Sequence, residues 1–181
     1  MRNNQINKMM ISAMLCAIGI IIPMFSPIKI IIEPASFTLA SHVAIIIAMF
    51  ISPGVAITVC AGTTLGFFLG GFPVTVVLRA ASQIVFCFVG AMLIQKDHEW
   101  LDNPKKFISL VAICSLIHAI GEVLIVLPFY MNGDTSALFY SLFILVGVGT
   151  FVHSCVDFAI SKAVWQVVGT RVNKTALSTN K

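Results

Sequence analysis

Four polar side chains lie in otherwise apolar segments, and they form two pairs with helical spacing. Arg79 and Gln83 are four residues apart, as are His118 and Glu122. Because residues four apart lie on one face of a helix, each pair points in one direction. A guanidinium can hold a small carboxylate through its planar donors, and the other three side chains can hydrogen-bond the rest of a ligand. The four residues therefore predict a binding site for a small carboxylate.

A structural ion pair is the alternative explanation of Arg79. A guanidinium at membrane depth costs about 2.5–3.5 kcal/mol on insertion scales, so it requires an anionic ligand or a partner side chain. Glu122 is such a partner and would join two helices without any ligand. The two roles are compatible, since a carboxylate that pairs with Arg79 also orients it. The spacing alone leaves both open.

Further polar residues are candidates by type and place. His42 is expected near the outer end of the second helix, where it either contacts the ligand or lies at the membrane interface. Asn132 precedes a glycine, so a turn role is favoured over ligand contact. His153 and Asp157 are also four apart, and an interhelical hydrogen bond is favoured for them over a proton relay.

The composition identifies the class of protein. The chain has 181 residues, of which 59% are hydrophobic and 10% charged, with a mean hydropathy of +1.02. A soluble domain would be about 25% charged. The apolar runs are continuous and do not alternate, which disfavours a β-barrel. We therefore predict an all-α integral membrane protein, a multi-pass protein of the cell membrane in which residues 1–181 form a single domain.

Six apolar segments are long enough, or nearly so, to cross a bilayer as helices. We predict helices at residues 8–25, 38–51, 55–69, 74–94, 107–127 and 138–168. The second is the shortest, so we expect neighbouring helices to shield it from lipid. The connection over residues 26–37 has an apolar centre between Lys29 and Glu33, and we expect it to cover the bundle as a lid.

Basic residues fix the expected orientation of this six-helix bundle. With six crossings, most of the lysines and arginines fall on one side, so both termini are expected to be cytoplasmic. The rise of 1.5 Å per residue then places Arg79 and Glu122 roughly 9 Å below the outer surface, with Gln83 and His118 one turn deeper. His153 is expected in the inner half of the membrane and Asp157 near its cytoplasmic edge.

Sequence signals of catalysis are missing. The chain has no phosphate-binding GxxxxGK[ST] loop and no HExxH motif. Its five cysteines are scattered singly through apolar runs, without disulfide or metal-ligand spacing. We therefore expect no enzymatic activity, no cofactor and no metal, and the charge pattern does not indicate nucleic-acid binding.

Helix 1 carries small residues four apart, Ala13 and Ala17. Such spacing permits close approach of another helix. The pattern fits either packing inside the protein or a docking face for a partner.

The chain resembles the substrate-binding S-components of energy-coupling-factor vitamin transporters. The resemblance covers nearly the whole chain and includes the alanine pair of helix 1. Three runs look most like the niacin-specific branch: IIIPMFSP at 20–27, EPASFTLASH at 33–42 and GTTLGFFLGGFP at 62–73.

That resemblance implies a function. Such a subunit binds a vitamin on its extracellular side, with the first loop as lid, and docks on a membrane coupling subunit through Ala13 and Ala17. Two cytoplasmic ATPases then drive release inward. Nicotinate or nicotinamide would be the ligand, with pantothenate as the alternative carboxylate. A proton-coupled carrier using His118, Glu122, His153 and Asp157 and a purely structural membrane subunit are the alternatives of other classes.

Overall fold

The computed structural model describes residues 2–32, 35–130 and 139–178, which form helices and one small β-hairpin. The elements in chain order are α1 (Arg2–Phe25), β1 (Lys29–Ile32), β2 (Ala35–Thr38), α2 (Val43–Ile51), α3 (Pro53–Leu69), α4 (Val74–Lys96), α5 (Glu99–Asp102), α6 (Pro104–Tyr130), a π-helical segment (Tyr140–Val148) and α7 (Gly149–Ser178), which continues it.

Four of these helical stretches are long and apolar enough to cross a membrane. They are Gln5–Phe25, Val74–Lys96, Pro104–Phe129 and Tyr140–Val168. The molecule is thus a helical, multi-pass membrane protein, in agreement with the sequence. The helix α3 is apolar but shorter, so the count of six crossings and the side on which the termini lie stay predictions.

The connection between α1 and α2 contains a β-hairpin, which the sequence analysis did not predict. The strands β1 and β2 pair antiparallel from Lys29–Thr38 to Ile32–Ala35. The second helix was predicted from residue 38, but Thr38 ends β2 and the helix begins only at Val43. A turn intervenes over residues 39–42, with Ala40 in the left-handed region at φ 65°.

The helix α2 has only nine residues and lies in the centre of the bundle. Ile45, Ile46 and Ala48 expose 2%, 0% and 0% of their surface. The helix contacts α1, α3, α4 and α7. The expectation that protein would shield this short helix is therefore confirmed.

The helices α1 and α3 meet through glycines of α3. A Cβ atom added at Gly62 would strike the sulfur of Cys16, and one added at Gly66 would strike the side chain of Ile20. Ala13 and Ala17, each three residues before one of these contacts, are exposed. The two roles predicted for these alanines, helix packing and docking of a partner, both stay predictions.

Candidate functional site

A cavity of about 180 Å³ lies where the hairpin, the turn after it and the helices meet. The helices α1, α2, α3, α4, α6 and α7 contribute to its lining, together with β2. Its polar lining residues are Thr38, Ser41, His42, Thr63, Arg79, Gln83, Glu122, Thr150 and His153. Four of the predicted site residues line it: His42, Arg79, Gln83 and Glu122.

The ion pair that the sequence left open is present in the wall of this cavity. The Nη2 atom of Arg79 donates to Oε2 of Glu122 over 2.8 Å, and Thr150 donates its hydroxyl to the same oxygen over 2.6 Å. Arg79 and Glu122 expose 8% and 2% of their surface. The Nε–H of Arg79 finds no acceptor within the described residues. Glu122 thus orients the guanidinium but leaves part of its donor capacity unused.

His118 lies behind Glu122 and does not itself line the cavity. Its Nε2 atom is 3.3 Å from Oε1 of Glu122, but the direction of approach does not make a hydrogen bond. Its Nδ1 atom is 3.5 Å from the hydroxyl of Ser154, and its ring lies 4.7 Å from the ring of Phe86, centroid to centroid. His118 therefore supports the wall more than it faces a ligand.

Gln83 and Thr63 present unused polar atoms to the cavity. Gln83 is 7% exposed, and its amide makes no hydrogen bond within the described part of the chain. The hydroxyl of Thr63 is buried and likewise has no partner there. Sequence reasoning missed Thr63. The spacing on α3 could have identified it. Thr63 and Phe67 are four residues apart, and each directly follows one of the glycines that pack on α1.

His42 is joined to the last helix by Asp157. The carboxylate of Asp157 accepts the backbone N–H of Ala40 over 2.9 Å and that of His42 over 3.0 Å, and its Oδ2 lies 2.9 Å from Nδ1 of His42. His153 contacts the same group, with Nε2 3.3 Å from Oδ2 of Asp157 and 3.1 Å from the hydroxyl of Ser41. The carboxylate therefore fixes the turn between the hairpin and α2.

These contacts correct the predicted separation of His153 and Asp157 from His42. Both were expected in the inner part of the bundle, away from His42, but Asp157 contacts His42 and His153 lies beside it, so the predicted separation was wrong. The helix α2 begins five residues later than predicted, so a count of residues along a helix from residue 38 does not apply to His42. The interhelical hydrogen bond favoured for the pair is present, with His42 as the partner.

Two imidazole rings lie against the ring of His42, and a phenyl ring lies against one of them. The centroids of His42 and His118 are 4.7 Å apart and those of His42 and His153 are 5.0 Å apart, both edge to face. Phe37 of β2 lies 5.4 Å from His153. The hairpin thus reaches down to the histidine cluster, which closes the cavity on that side.

Two groups of side chains have potential metal ligands within 4.8 Å of one another: His42, His118 and Glu122, and His42, His153 and Asp157. In both groups the carboxylate already accepts hydrogen bonds from protein donors. A metal ion would displace those donors, and the expectation of no metal stays a prediction.

Some predicted site residues lie outside the residues that the structure describes. Asn132, Glu33 and the side chain of Lys29 lie outside the described part of the chain. Their predicted roles, ligand contact for Asn132 and a lid for the other two, stay predictions.

The chain can be placed among known proteins by one similarity. No family model matches it, and no solved structure matches it. It is 39% identical over 168 residues to the niacin transporter NiaX of Lactococcus lactis subsp. cremoris (strain MG1363), across 91% of this chain and 75% of that protein. NiaX is a transporter and not an enzyme. The chain therefore belongs to the family of NiaX, the niacin-type S-components of energy-coupling-factor transporters.

Proposed function

We propose that this chain is the substrate-binding subunit of an ATP-driven importer and binds niacin in the cavity between the hairpin and the helices. The main support for the proposal is the cavity wall. There the buried Arg79 and the amide of Gln83, which makes no hydrogen bond within the described residues, face a cavity of about 180 Å³. The similarity to a niacin transporter supports the choice of vitamin.

The size and lining of the cavity suit a single aromatic ring. Pockets for drug-sized ligands measure about 300–1,000 Å³, so this one fits a smaller molecule. Phe37, Phe67 and Phe72 supply apolar and aromatic walls. Pantothenate is longer and has no ring, so these walls favour niacin over it.

Each polar residue has a role in this proposal. Arg79 donates to the oxygen of the carboxyl or carboxamide group, and Glu122 orients it. The amide of Gln83 donates to the ring nitrogen. His42 forms part of the wall, His118 supports the wall from behind Glu122, and Asn132 contributes from outside the described residues.

Transport adds partners to the proposal. Six crossings with cytoplasmic termini would place the cavity on the outer side, with the hairpin as its lid. A membrane coupling subunit would dock on the face of α1 that carries Ala13 and Ala17, and two cytoplasmic ATPases would drive release inward. Family membership and the exposure of both alanines support this arrangement.

Calorimetry on the purified chain tests the ligand. We expect micromolar or tighter binding of nicotinate, nicotinamide or both, and at least a hundredfold weaker binding of pantothenate. Tight binding of pantothenate with no heat from either form of niacin would overturn the proposed substrate.

A second candidate function has a specific observation in its favour. The residues named for a proton-coupled carrier, His118, Glu122, His153 and Asp157, all lie around His42. A carrier of that kind moves niacin into liposomes that contain this chain alone, and an uncoupler stops it. Uptake that requires the coupling subunit and the ATPases excludes this function.

A further inference from the structure

The phenyl ring of Phe37 rests on the backbone of the last helix at Gly149. A Cβ atom added at Gly149 would lie 2.6 Å from Cζ of this ring, with Cε2 at 3.1 Å and Cε1 at 3.6 Å. Carbon atoms in van der Waals contact are about 3.5–4.0 Å apart, so a side chain at this position would collide with the ring. The ring therefore occupies the space that the missing side chain leaves.

The backbone conformation does not explain this glycine. Gly149 has φ −58° and ψ −47°, an ordinary right-handed helical conformation that residues with a side chain also adopt. Glycine inside a helix is destabilising relative to alanine, so the helix itself does not favour it. The close approach of Phe37 is the structural reason for a glycine here.

The same helix holds the ring of Phe37 from a second side. Gly149 and His153 are four residues apart on α7 and therefore share one face. The ring centroids of Phe37 and His153 are 5.4 Å apart, at an interplanar angle of 47°. Nε2 of His153 lies 3.1 Å from the hydroxyl of Ser41 and 3.3 Å from Oδ2 of Asp157. The ring thus lies between a helix backbone and an imidazole that has polar partners of its own.

Phe37 also lines the cavity, and it belongs to a different kind of element from the other aromatic residues there. Phe67 and Phe72, on α3 and just before α4, stack on each other with centroids 4.7 Å apart. Phe37 lies on β2, where it pairs with Ile30 of β1, so the position of its ring depends on how the hairpin rests on α7. The contact with Gly149 therefore sets the position of this wall of the cavity.

We propose that Phe37 limits the size of the ligand, and that Gly149 is the positioning residue that lets its ring reach the cavity wall. The inference rests on the proposed function, since it adds a specificity-determining residue to the same site. The space that remains takes a single pyridine ring, and a second ring fused to it meets the phenyl group of Phe37.

Calorimetry of the purified full chain with matched ligands tests the size limit. Nicotinate is compared with quinoline-3-carboxylate, and nicotinamide with quinoline-3-carboxamide, because each pair shares its polar groups and differs by one fused ring. Overpacking is unfavourable, so we expect the wild-type chain to bind the quinoline about a hundredfold more weakly. Phe37→Ala should reduce that ratio at least tenfold. Phe68→Ala, at a position 67% exposed on α3, is the control and should leave the ratio unchanged.

Gly149→Ala tests the positioning role. The added methyl group displaces the ring, so we expect niacin affinity to fall at least fivefold in the wild-type background but less than twofold in the Phe37→Ala background. Gly147→Ala is the control, because a Cβ atom there lies at ordinary contact distances, 3.4 Å from Cγ2 of Val123 and 3.5 Å from the carbonyl oxygen of Leu142. That variant should leave the affinity within twofold of wild type.

The possible outcomes separate this inference from the function beneath it. An unchanged preference in Phe37→Ala, or an equal effect of Gly149→Ala with and without the ring, would overturn the inference and leave niacin as the ligand. Failure of the wild-type chain to bind either form of niacin would overturn the proposed function. If Phe37→Ala does not fold or does not bind niacin, Phe37→Leu replaces it in both experiments. Loss of niacin binding in that variant too would overturn the size limit, since the ring would then be required for binding itself.

Discussion

The imidazole of His42 lies 2.9 Å from the carboxylate of Asp157, although 115 residues separate them in the chain. The same carboxylate holds two backbone N–H groups of the turn that follows the hairpin. One buried acidic group on α7 therefore sets the position of the turn after the hairpin and of a cavity-lining side chain together.

Replacing Asp157 with alanine removes the acceptor of these three donors. Loss of one partner of a buried, hydrogen-bonded charge costs about 3–5 kcal/mol, so we expect a clear fall in the midpoint temperature of unfolding in detergent. Ligand affinity should fall with it, because the turn is released. Asp102→Ala, at an exposed position of α5, is the matched control. An equal fall in the unfolding midpoint of both variants would show that the Asp157 contacts do not stabilise the fold.

Arg79→Ala removes the proposed donor to the ligand. We expect niacin binding to fall at least a hundredfold, measured by calorimetry, while size-exclusion chromatography still shows a folded monodisperse protein. Lys96→Ala removes an exposed cation from the end of the same helix and should leave binding intact. Binding that survives Arg79→Ala within a few-fold would refute a direct contact and leave only the ion pair with Glu122.

Ala13→Trp and Ala17→Trp place a bulky ring on the exposed face of α1. Because small residues are needed where helices approach closely, we expect co-purification with the coupling subunit to be lost and niacin affinity to be nearly unchanged. Leu124→Trp, at a position 62% exposed on α6, is the control. Equal loss of ligand binding and of docking would instead assign the alanines to internal packing.

Gly66→Val tests the contact between α1 and α3. The added methyl groups would meet Ile20, and overpacking of this kind costs about 1–3 kcal/mol. We expect a lower unfolding midpoint, followed by tryptophan fluorescence or circular dichroism. A Cβ atom added at Gly54 meets nothing within 4 Å, so Gly54→Val is the control. A similar fall in its unfolding midpoint would assign the effect to a β-branched residue in a helix and not to crowding.

The depth of a side chain in the membrane can be predicted by counting residues from the end of its helix, but only where that helix is regular. Arg79 and Glu122 lie on long helices, α4 and α6, and they meet as the count of 1.5 Å per residue predicts. The same count wrongly predicted that His42 and Asp157 lie apart, because the chain enters α2 through a hairpin and a left-handed turn at Ala40. Nothing in the local sequence marks a turn whose donors are satisfied by a residue on the last helix.

Thr63 escaped prediction for a related reason. Threonines in helices usually bond to the backbone of the preceding turn, as Thr58 and Thr64 do here. Thr63 makes no such bond within the described chain. Only the three-dimensional structure distinguishes it from its neighbours.

Because α2 is short, the hairpin has to form part of the membrane domain. Nine residues of helix cover about 13.5 Å, less than half of a hydrocarbon core of about 30 Å. In a six-crossing topology the strands and turn over residues 29–42 must complete that crossing, and irregular backbone at such depth is tolerated only where protein or a cavity covers it. In that topology the segment proposed as the lid is also the upper half of a transmembrane span, and a chain without it would leave α2 unable to reach the outer surface.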